Sequence, residues 1–365
     1  MSQSSRPSSS AATSSVRLRQ LFPDAEFFGA WNQPVRACSS DSRSCQPGDL
    51  FIARVGTDRD GHDYAEEAVS NGASAILTER LLPADVPQCI VPDTRIAHGQ
   101  LCQALAGNPS QSLKVIGITG TNGKTTTTCL VASILQVAGF QPGLLGTLGY
   151  CDGNTTDRAP LTTPSTPELA DWLRRMVVNG CTHAVMEVSS HALAQHRVAG
   201  VTFDAIAVTN VRRDHLDFHG SLTAYRSAKR RLFEHLSPEG FAVVNADDPV
   251  AANYLSSFNG PALTVGMTNH AEISALLVER SVSEQTFLLS AGCDTVPVRT
   301  RMIGDHHISN CLVAAAIGLT YGIDLHDVVR GLEAIDHVPG RLERIECGQS
   351  FGAFVDYAHT PDALS

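Results

Sequence analysis

Lys124 and Thr125 end a glycine-rich run, Gly117-Ile-Thr-Gly120-Thr121-Asn122-Gly123-Lys124-Thr125-Thr126, whose residue types suit the holding of phosphate. Glycines let backbone N–H groups converge on phosphate oxygens, the N-terminus of a following helix adds partial positive charge, and a lysine neutralises the anion. The Thr125 hydroxyl is a hard oxygen donor of the kind Mg²⁺ takes. Leu113 to Ile118 reads as a short apolar strand and Thr127 to Ala138 has the apolar spacing of a helix, which is the context a P-loop requires. The run predicts a nucleoside triphosphate with Mg²⁺. It departs from G-x-x-x-x-G-K-[ST] at one place, where Ile118 stands for the first glycine and glycines occupy 117 and 120. The loop alone leaves the family open.

Three further groups could do chemistry. Glu187, in Met186-Glu-Val-Ser-Ser-His191, closes an apolar strand, and a carboxylate at the C-terminal edge of a parallel strand faces the ligand crevice. It is a candidate Mg²⁺ ligand, with a surface glutamate as the plain alternative. Asn210-Val-Arg-Arg-Asp214-His215-Leu-Asp217-Phe-His219 packs basic, acidic and imidazole groups into ten residues. His215 and His219 have the i, i+4 spacing of a zinc pair, but no glutamate follows the first histidine, which argues against zinc. Lys229, Arg230 and Arg231 fall at the centre of a helix expected over Ser221 to Leu236. On spacing alone they form a charged solvent face.

The elements that must position these groups are those of an α/β protein. With 365 residues, 43% of them apolar, the chain has material for two or three domains. Residues 16–112 alternate short apolar runs (Leu50 to Ala53, Ala75 to Leu77, Gln88 to Val91) with helical stretches such as Tyr64 to Ser70, and predict a small N-terminal α/β domain. Residues 113–340 repeat strand–helix units, with apolar strands at Ala184 to Val188, Ala205 to Thr209 and Ala242 to Asn245. Such strands suit a mainly parallel sheet covered on both faces. Ile273 to Met302 reads as an antiparallel extension and His306 to Tyr321 as a helix. Residues 341–365 offer a strand at Ala353 to Tyr357 and a turn into a helix at Ala358 to Asp362, either the beginning of a third domain or a tail that packs on the second.

Composition narrows the classes. A net charge of −10 argues against a nucleic-acid surface. Ten cysteines without a C-x-x-C pair read as reduced thiols in a cytoplasmic setting. The longest apolar run, Cys311 to Ile323, is too short and too interrupted to span a membrane. Residues 1–15, with eight serines, predict a disordered leader.

Taken together, these segments resemble the Mur ligase superfamily, and within it the members that add the third amino acid of the peptidoglycan precursor. The resemblance rests on Asp41-Ser-Arg43 with Pro47-Gly-Asp-Leu-Phe, Asp60-Gly-His, Gly117 to Thr126, Thr162-Thr-Pro164, Met186 to Leu193 with Gln195-His-Arg197, and Arg213-Asp-His-Leu-Asp217 with Gly220. It continues through Ala228-Lys229, Asn245-Ala-Asp-Asp, Gly340-Arg341 and Asp356-Tyr-Ala-His-Thr-Pro-Asp-Ala-Leu364. The irregular P-loop is the superfamily's own form.

The resemblance implies an N-terminal UDP-sugar-binding domain, a central ATP-binding domain and a Rossmann-like C-terminal domain, here only begun. It implies an ATP-dependent amide ligase acting on UDP-N-acetylmuramoyl-L-alanyl-D-glutamate and an amino acid, usually meso-diaminopimelate with lysine left open, through an acyl phosphate. Gly120, Thr121, Asn122, Gly123, Lys124, Thr125 and Thr126 would bind ATP, with Asn310 at adenine, Arg341 at a phosphate and Asp356 at the ribose. Thr125 and Glu187 would hold one Mg²⁺ and His215 would help hold a second. Lys229 would be carbamylated by carbon dioxide and face that second ion. Ser40, Ser42, the Thr57-Asp58-Arg59 turn, Thr162, Thr163, Ser189, Gln195 and Arg197 would meet the nucleotide-sugar peptide. Two alternatives stay open. The family's Asp-Asn-Pro-Arg motif, which helps choose the amino acid, does not occur in these 365 residues, which also suits a truncated or noncatalytic nucleotide- and UDP-sugar-binding protein. Folylpolyglutamate synthetases share the P-loop, although the Asp41-Ser-Arg43 segment speaks against them.

Overall fold

The computed structural model describes residues 15–29, 34–56, 59–345, 347–349 and 351–358. Residues 1–14 of the expected leader and the turn into a helix after Ala358 lie outside the described residues. The chain divides into two compact units, Met1–Asn108 and Pro109–Ser365.

In the first unit the strands Cys38–Ser39, Leu50–Ile52, Ala75–Thr78 and Gln88–Ile90 run parallel, and Glu26–Phe28 closes the sheet antiparallel to Gln88–Ile90. Strand alternation sends Leu50 and Ile52 to one core with Leu77, Cys89 and Leu101, and Phe51 to another with Ile76 and Ala68. The helix Thr94–Leu105 covers the first of these cores; the Asp93 carboxylate starts it by accepting from the N–H groups of Arg95 and Ile96.

The second unit is built on an eleven-stranded sheet. Its middle is parallel, in the spatial order Ile273–Arg280, Ala262–Gly266, Leu236–Asn245, Phe203–Val208, Lys114–Thr119, His183–Glu187, Pro142–Gly146. Antiparallel strands extend both ends: Gln285–Ala291 and Asp294–Thr300 beyond Ile273–Arg280, Gly149–Cys151 and Thr156–Asp157 beyond Pro142–Gly146. The mainly parallel α/β architecture is therefore as expected, and the antiparallel stretch after Ile273 is present. The short strands at 26–28, 38–39, 142–157 and 262–266 went unread, because runs of two to five residues carry too little periodicity.

Helices cover both faces. On one, Lys124–Val137, Asp305–Thr320 and Leu325–Glu333 share a core with Ile116, Ile118, Val185 and Val243. Gly331 lets the last of these helices lie against the Ile134 backbone, where a Cβ would collide, and the Ser133 hydroxyl donates to the Gly331 carbonyl at 2.7 Å. Full burial of a side chain such as Ile134 contributes roughly 1.5–3 kcal/mol. On the other face, Thr166–Val178 packs Leu169, Trp172, Leu173 and Met176 against Val115, Ala184 and Met186. A Ser165/Glu168 capping box starts that helix directly after Thr162 and Thr163.

The helix expected over Ser221 to Leu236 is shorter than read. It is α-helical over Leu222–Arg230 and tightens to a 3₁₀ turn at Arg231–His235, so Lys229 lies in its last turn and not at its centre. The strand expected at Ala353 to Tyr357 is Ala353–Val355, paired antiparallel with Glu343–Ile345. Among the described residues no helix is long and apolar enough to cross a membrane.

Candidate active site

The strand Lys114–Thr119 lies between Phe203–Val208 and His183–Glu187, and the carboxyl ends of all three strands open on one crevice. The P-loop leaves the first of these strands and ends at Gly123, whose φ of +85° L side chains rarely adopt and whose missing Cβ makes room for the Asn310 amide. The helix Lys124–Val137 starts there with no side-chain cap, so its first N–H groups are available to an anion.

A second loop holds the first in shape. The Thr209 hydroxyl donates to the Asn122 carbonyl at 2.6 Å, Asn210 Nδ2 donates to the same oxygen at 3.1 Å, and Asn210 Oδ1 accepts from Asn122 N–H at 2.9 Å. Thr121 Oγ1 is 2.8 Å from the Tyr225 hydroxyl and accepts from Arg212 N–H at 2.9 Å. Asn245 Nδ2 donates to the Thr209 carbonyl from the next strand at 3.0 Å. Thr126, the last residue of the run, is buried in the first turn of the helix.

Glu187 is 1% exposed and fully engaged. Its Oε2 accepts from the Thr125 hydroxyl at 3.0 Å and the Thr147 hydroxyl at 3.2 Å, and its Oε1 accepts from Thr147 N–H at 2.7 Å. Two adjacent hard oxygen donors, Thr125 at the phosphate-binding loop and Glu187 at the end of the neighbouring strand, are what Mg²⁺ selects, so these residues fit the ion. The same knot reaches outward. Thr162 Oγ1 is 3.2 Å from Thr147 Oγ1, Thr163 Oγ1 donates to the Glu187 carbonyl at 2.9 Å and accepts from Ser189 N–H at 3.0 Å. Arg197 donates to the Thr163 carbonyl at 3.1 Å and to Gln195 Oε1 at 2.9 Å. Thr162, Thr163, Ser189, Gln195 and Arg197 thus form one hydrogen-bonded group with the carboxylate.

Lys229 is not on a solvent face. It is 1% exposed, while Arg230 beside it is exposed. Its Nζ donates to the Gly120 carbonyl at 2.7 Å, and Lys124 Nζ donates to the same oxygen at 2.9 Å and to the Thr121 carbonyl at 2.9 Å. Burial lowers the Lys229 pKa well below the ordinary lysine range, the Lys124 charge lowers it further, and Asp214 opposes both. Lys124 is lowered too, chiefly by burial, against the raising effect of Glu187. Two amines thus crowd one buried carbonyl oxygen, which disfavours the charged form of each.

His215 caps the four-residue helix Leu216–His219 in the left-handed region, at φ +49°, with Nε2 3.3 Å from Asp214 Oδ2. Its ring stands 4.6 Å from that of His191, while His219 points to Ser190 Oγ at 3.0 Å. His215 and His219 therefore have different partners. Asn310 is buried on Asp305–Thr320 against Gly123. Arg341 donates to the Thr125 hydroxyl at 3.1 Å, which draws it to the P-loop. Asp356 is exposed and accepts from Leu342 N–H and Ala358 N–H, each at 2.6 Å; its charge acts on His306 at the start of the Asn310 helix.

In the first unit Asp41 accepts from Arg43 N–H at 3.1 Å and pairs with its guanidinium at 2.8 Å, an exposed local pair. Ser40 is exposed on it; Ser42 is buried and donates to Glu67 at 2.5 Å. Arg59 is exposed and its carbonyl accepts from Gly56 N–H at 2.8 Å, while Thr57 and Asp58 lie outside the described residues.

Sequence reasoning assigned no role to Thr147, Thr209, Asn210, Tyr225 or Asn245. Thr209 and Asn210 directly follow an apolar strand, the same edge rule that found Glu187. Tyr225 lies four residues before Lys229, on the same helical face. Thr147 carried no signal in its neighbours.

Comparisons with known proteins bear on the family and the fold. Residues 118–318 match the model of the Mur ligase middle domain, and residues 34–104 that of the Mur ligase family, catalytic domain. A protein of Geobacillus thermodenitrificans named UDP-N-acetylmuramoyl-L-alanyl-D-glutamate--2,6-diaminopimelate ligase is 40% identical over 91% of this chain and 69% of its own length. One of the same name from Chlorobium phaeobacteroides is 41% identical over 91% of this chain and 67% of its own. A solved structure titled with that ligase name superposes with a TM-score of 0.81 at 30% identity, over 96% of this chain and 73% of that one. Similarity of this extent takes in the strand edges, the loops and the first unit as well as the P-loop, and the chain belongs to the Mur ligase family.

Proposed function

We propose that the chain is an ATP-dependent amide ligase of peptidoglycan precursor synthesis, joining meso-diaminopimelate to UDP-N-acetylmuramoyl-L-alanyl-D-glutamate in the cytoplasm. The convergence of Thr125, Glu187 and Lys229 on one phosphate-binding loop carries this reading, and the names of its 40%-identical relatives supply the substrate pair.

In this reading the glutamate carboxylate of the substrate attacks the γ-phosphorus of ATP, the bond to ADP breaks, and an acyl phosphate forms. The amine of diaminopimelate then attacks the acyl carbon, the C–O bond to phosphate breaks, and the amine proton passes to solvent. The P-loop N–H groups and Lys124 hold the phosphates in line, and Arg341 adds a guanidinium contact to them. Thr125 and Glu187 would hold one Mg²⁺, and His215 with a carbamylated Lys229 the second; bound there, the ions neutralise the charge gathered on the transferring phosphoryl group. Lys229 reaches the carbamate when its neutral amine attacks carbon dioxide and loses a proton to solvent. Asn310 borders the nucleotide, Asp356 its ribose, and Thr162, Thr163, Ser189, Gln195 and Arg197 orient the acceptor. Ser40, Ser42 and the turn at 57–59 bind the UDP end.

The test incubates the chain with ATP, Mg²⁺ and the UDP-muramoyl dipeptide, with diaminopimelate, with lysine or with neither, and follows phosphate release and ligated product. Product only with diaminopimelate is expected. Nucleotide-sugar binding without product in any arm, or a preference for a folate acceptor, would overturn the reading.

A further inference from the structure

A second set of metal-ligating side chains lies in the first unit, apart from any residue assigned above. Cys38 sits on the two-residue edge strand Cys38–Ser39, while His98 and Cys102 stand at i, i+4 on one face of the helix Thr94–Leu105. Their ligand atoms all lie within 4.8 Å of one another, the only such cluster among the described residues. His98 is 2% exposed and Cys102 6%, while Cys38 is half-buried and leaves one side open to solvent.

His98 Nδ1 is buried with no hydrogen-bond partner. An imidazole nitrogen without a partner costs free energy in an apolar core, and an ion bound through that nitrogen would remove the cost. We infer that Cys38, His98 and Cys102 form a zinc site. Two thiolates and an imidazole are soft and borderline donors that select Zn²⁺ and reject Mg²⁺. A tetrahedral zinc holds sulfur at about 2.3 Å and nitrogen at about 2.0–2.1 Å, which places ligand atoms roughly 3.5–3.8 Å apart. Side-chain adjustments of about an ångström bring the three atoms to those separations. Each thiol gives its proton to solvent as the ion binds, nothing is oxidised, and water takes the fourth position on the open side of Cys38. A Cys38–Cys102 disulfide is the competing use of these thiols, but it would leave the His98 nitrogen without a partner.

The ion has a structural task. A two-residue edge strand has few ladder bonds to hold it, and the ion would fasten it to the long helix. The next residues are Ser40 to Ser44, so the clip would fix the root of the Asp41–Arg43 turn.

The test uses the full chain, reduced and freed of metal with a chelator, and titrates it with Co²⁺ as a visible substitute for zinc. One equivalent should produce thiolate-to-cobalt charge-transfer absorption, which Zn²⁺ abolishes and excess Mg²⁺ leaves unchanged. In the unmutated chain, Zn²⁺ should protect Cys38 and Cys102 from alkylation while the exposed Cys293 and Cys347 still react, as read by peptide mass spectrometry. Loss of an outer-sphere partner alone weakens metal sites about 10–100-fold, so Cys102→Ser and His98→Gln should weaken binding at least about a hundredfold. Absence of the absorption, or its survival in both Cys38→Ser and Cys102→Ser, would overturn the site. So would recovery of a Cys38–Cys102 disulfide from a chain that takes up no metal.

Discussion

The P-loop edge of the second unit and the Asp41 turn of the first both present polar side chains, but they are built in opposite ways. At the P-loop edge the partners are far apart in sequence and shielded from water: Thr125 with Glu187 across 62 positions, Thr121 with Tyr225 across 104 and Lys229 with Gly120 across 109, all buried, and the half-buried Arg341 with Thr125 across 216. In the turn, Asp41 finds Arg43 two positions away, in solvent. Exposed local pairs are screened by water and exchange cheaply with it. Buried distant pairs have no such substitute, so disturbing one leaves a polar group stranded.

That contrast predicts a ranking of effects. Glu187→Gln keeps the shape of the side chain but removes its charge, and should lower turnover on the order of a hundredfold or more in a phosphate-release assay; a smaller loss would mean that the carboxylate only positions Thr147. Lys229→Ala should also abolish most turnover, and in the unmutated chain activity should fall when carbon dioxide is removed from the buffer and return when bicarbonate is added. A rate indifferent to bicarbonate would leave Lys229 acting as an amine.

Stability should follow the same order. Gly123→Ala places a Cβ at φ +85° against the Asn310 amide, and should cost about 1–3 kcal/mol in denaturant unfolding while weakening ATP binding. Thr209→Val removes the hydroxyl that holds the Asn122 carbonyl, at a cost of about 1 kcal/mol. Its signature should be a raised KM for ATP with kcat less affected, because the loop loses its shape and keeps its charges.

Buried histidines extend the comparison to pH. Burial lowers His183 to about 4 and His307 to about 3. The unfolded chain takes up these protons near pH 6.5 and the folded chain only below 4, so stability should be unaffected above pH 6.5 and fall steadily as pH drops from there to 4. His183→Gln should flatten that slope. The smallest effect belongs to the turn: Asp41→Ala should change stability by less than about 1 kcal/mol and leave KM for ATP unchanged, while raising KM for the UDP-sugar substrate. A large stability loss there would show that the Asp41–Arg43 pair does more than close the turn.

The fold was legible where residues repeat a period. The apolar strands at 114–119, 183–187, 203–208 and 242–245 announced a parallel sheet, and the glycine–lysine–threonine run announced its phosphate loop. Glu187 was legible because a carboxylate ending an apolar strand has few places to go. Thr147 was not, because its role comes from a hairpin bringing it beside Glu187, and nothing in its neighbours encodes that encounter. Lys229 marks the boundary between the two cases. Spacing in a basic helix made it look solvated, and only the family resemblance marked it as a site residue.

By itself the sequence determined the chemistry on offer: a phosphate loop, a strand-end carboxylate, and lysines and imidazoles of suitable type, together with the α/β class. The tertiary structure alone decided their electrostatic state. Burying Lys229 beside Lys124 on one carbonyl displaces its protonation equilibrium, and enclosing Glu187 between two threonine hydroxyls fixes the direction of its oxygens. The same holds for Cys38, which stands about sixty positions before His98 and Cys102 along the chain and within 4.8 Å of them in space. Solvation and proximity belong to the folded surroundings of a residue, and they are absent until distant strands and helices meet.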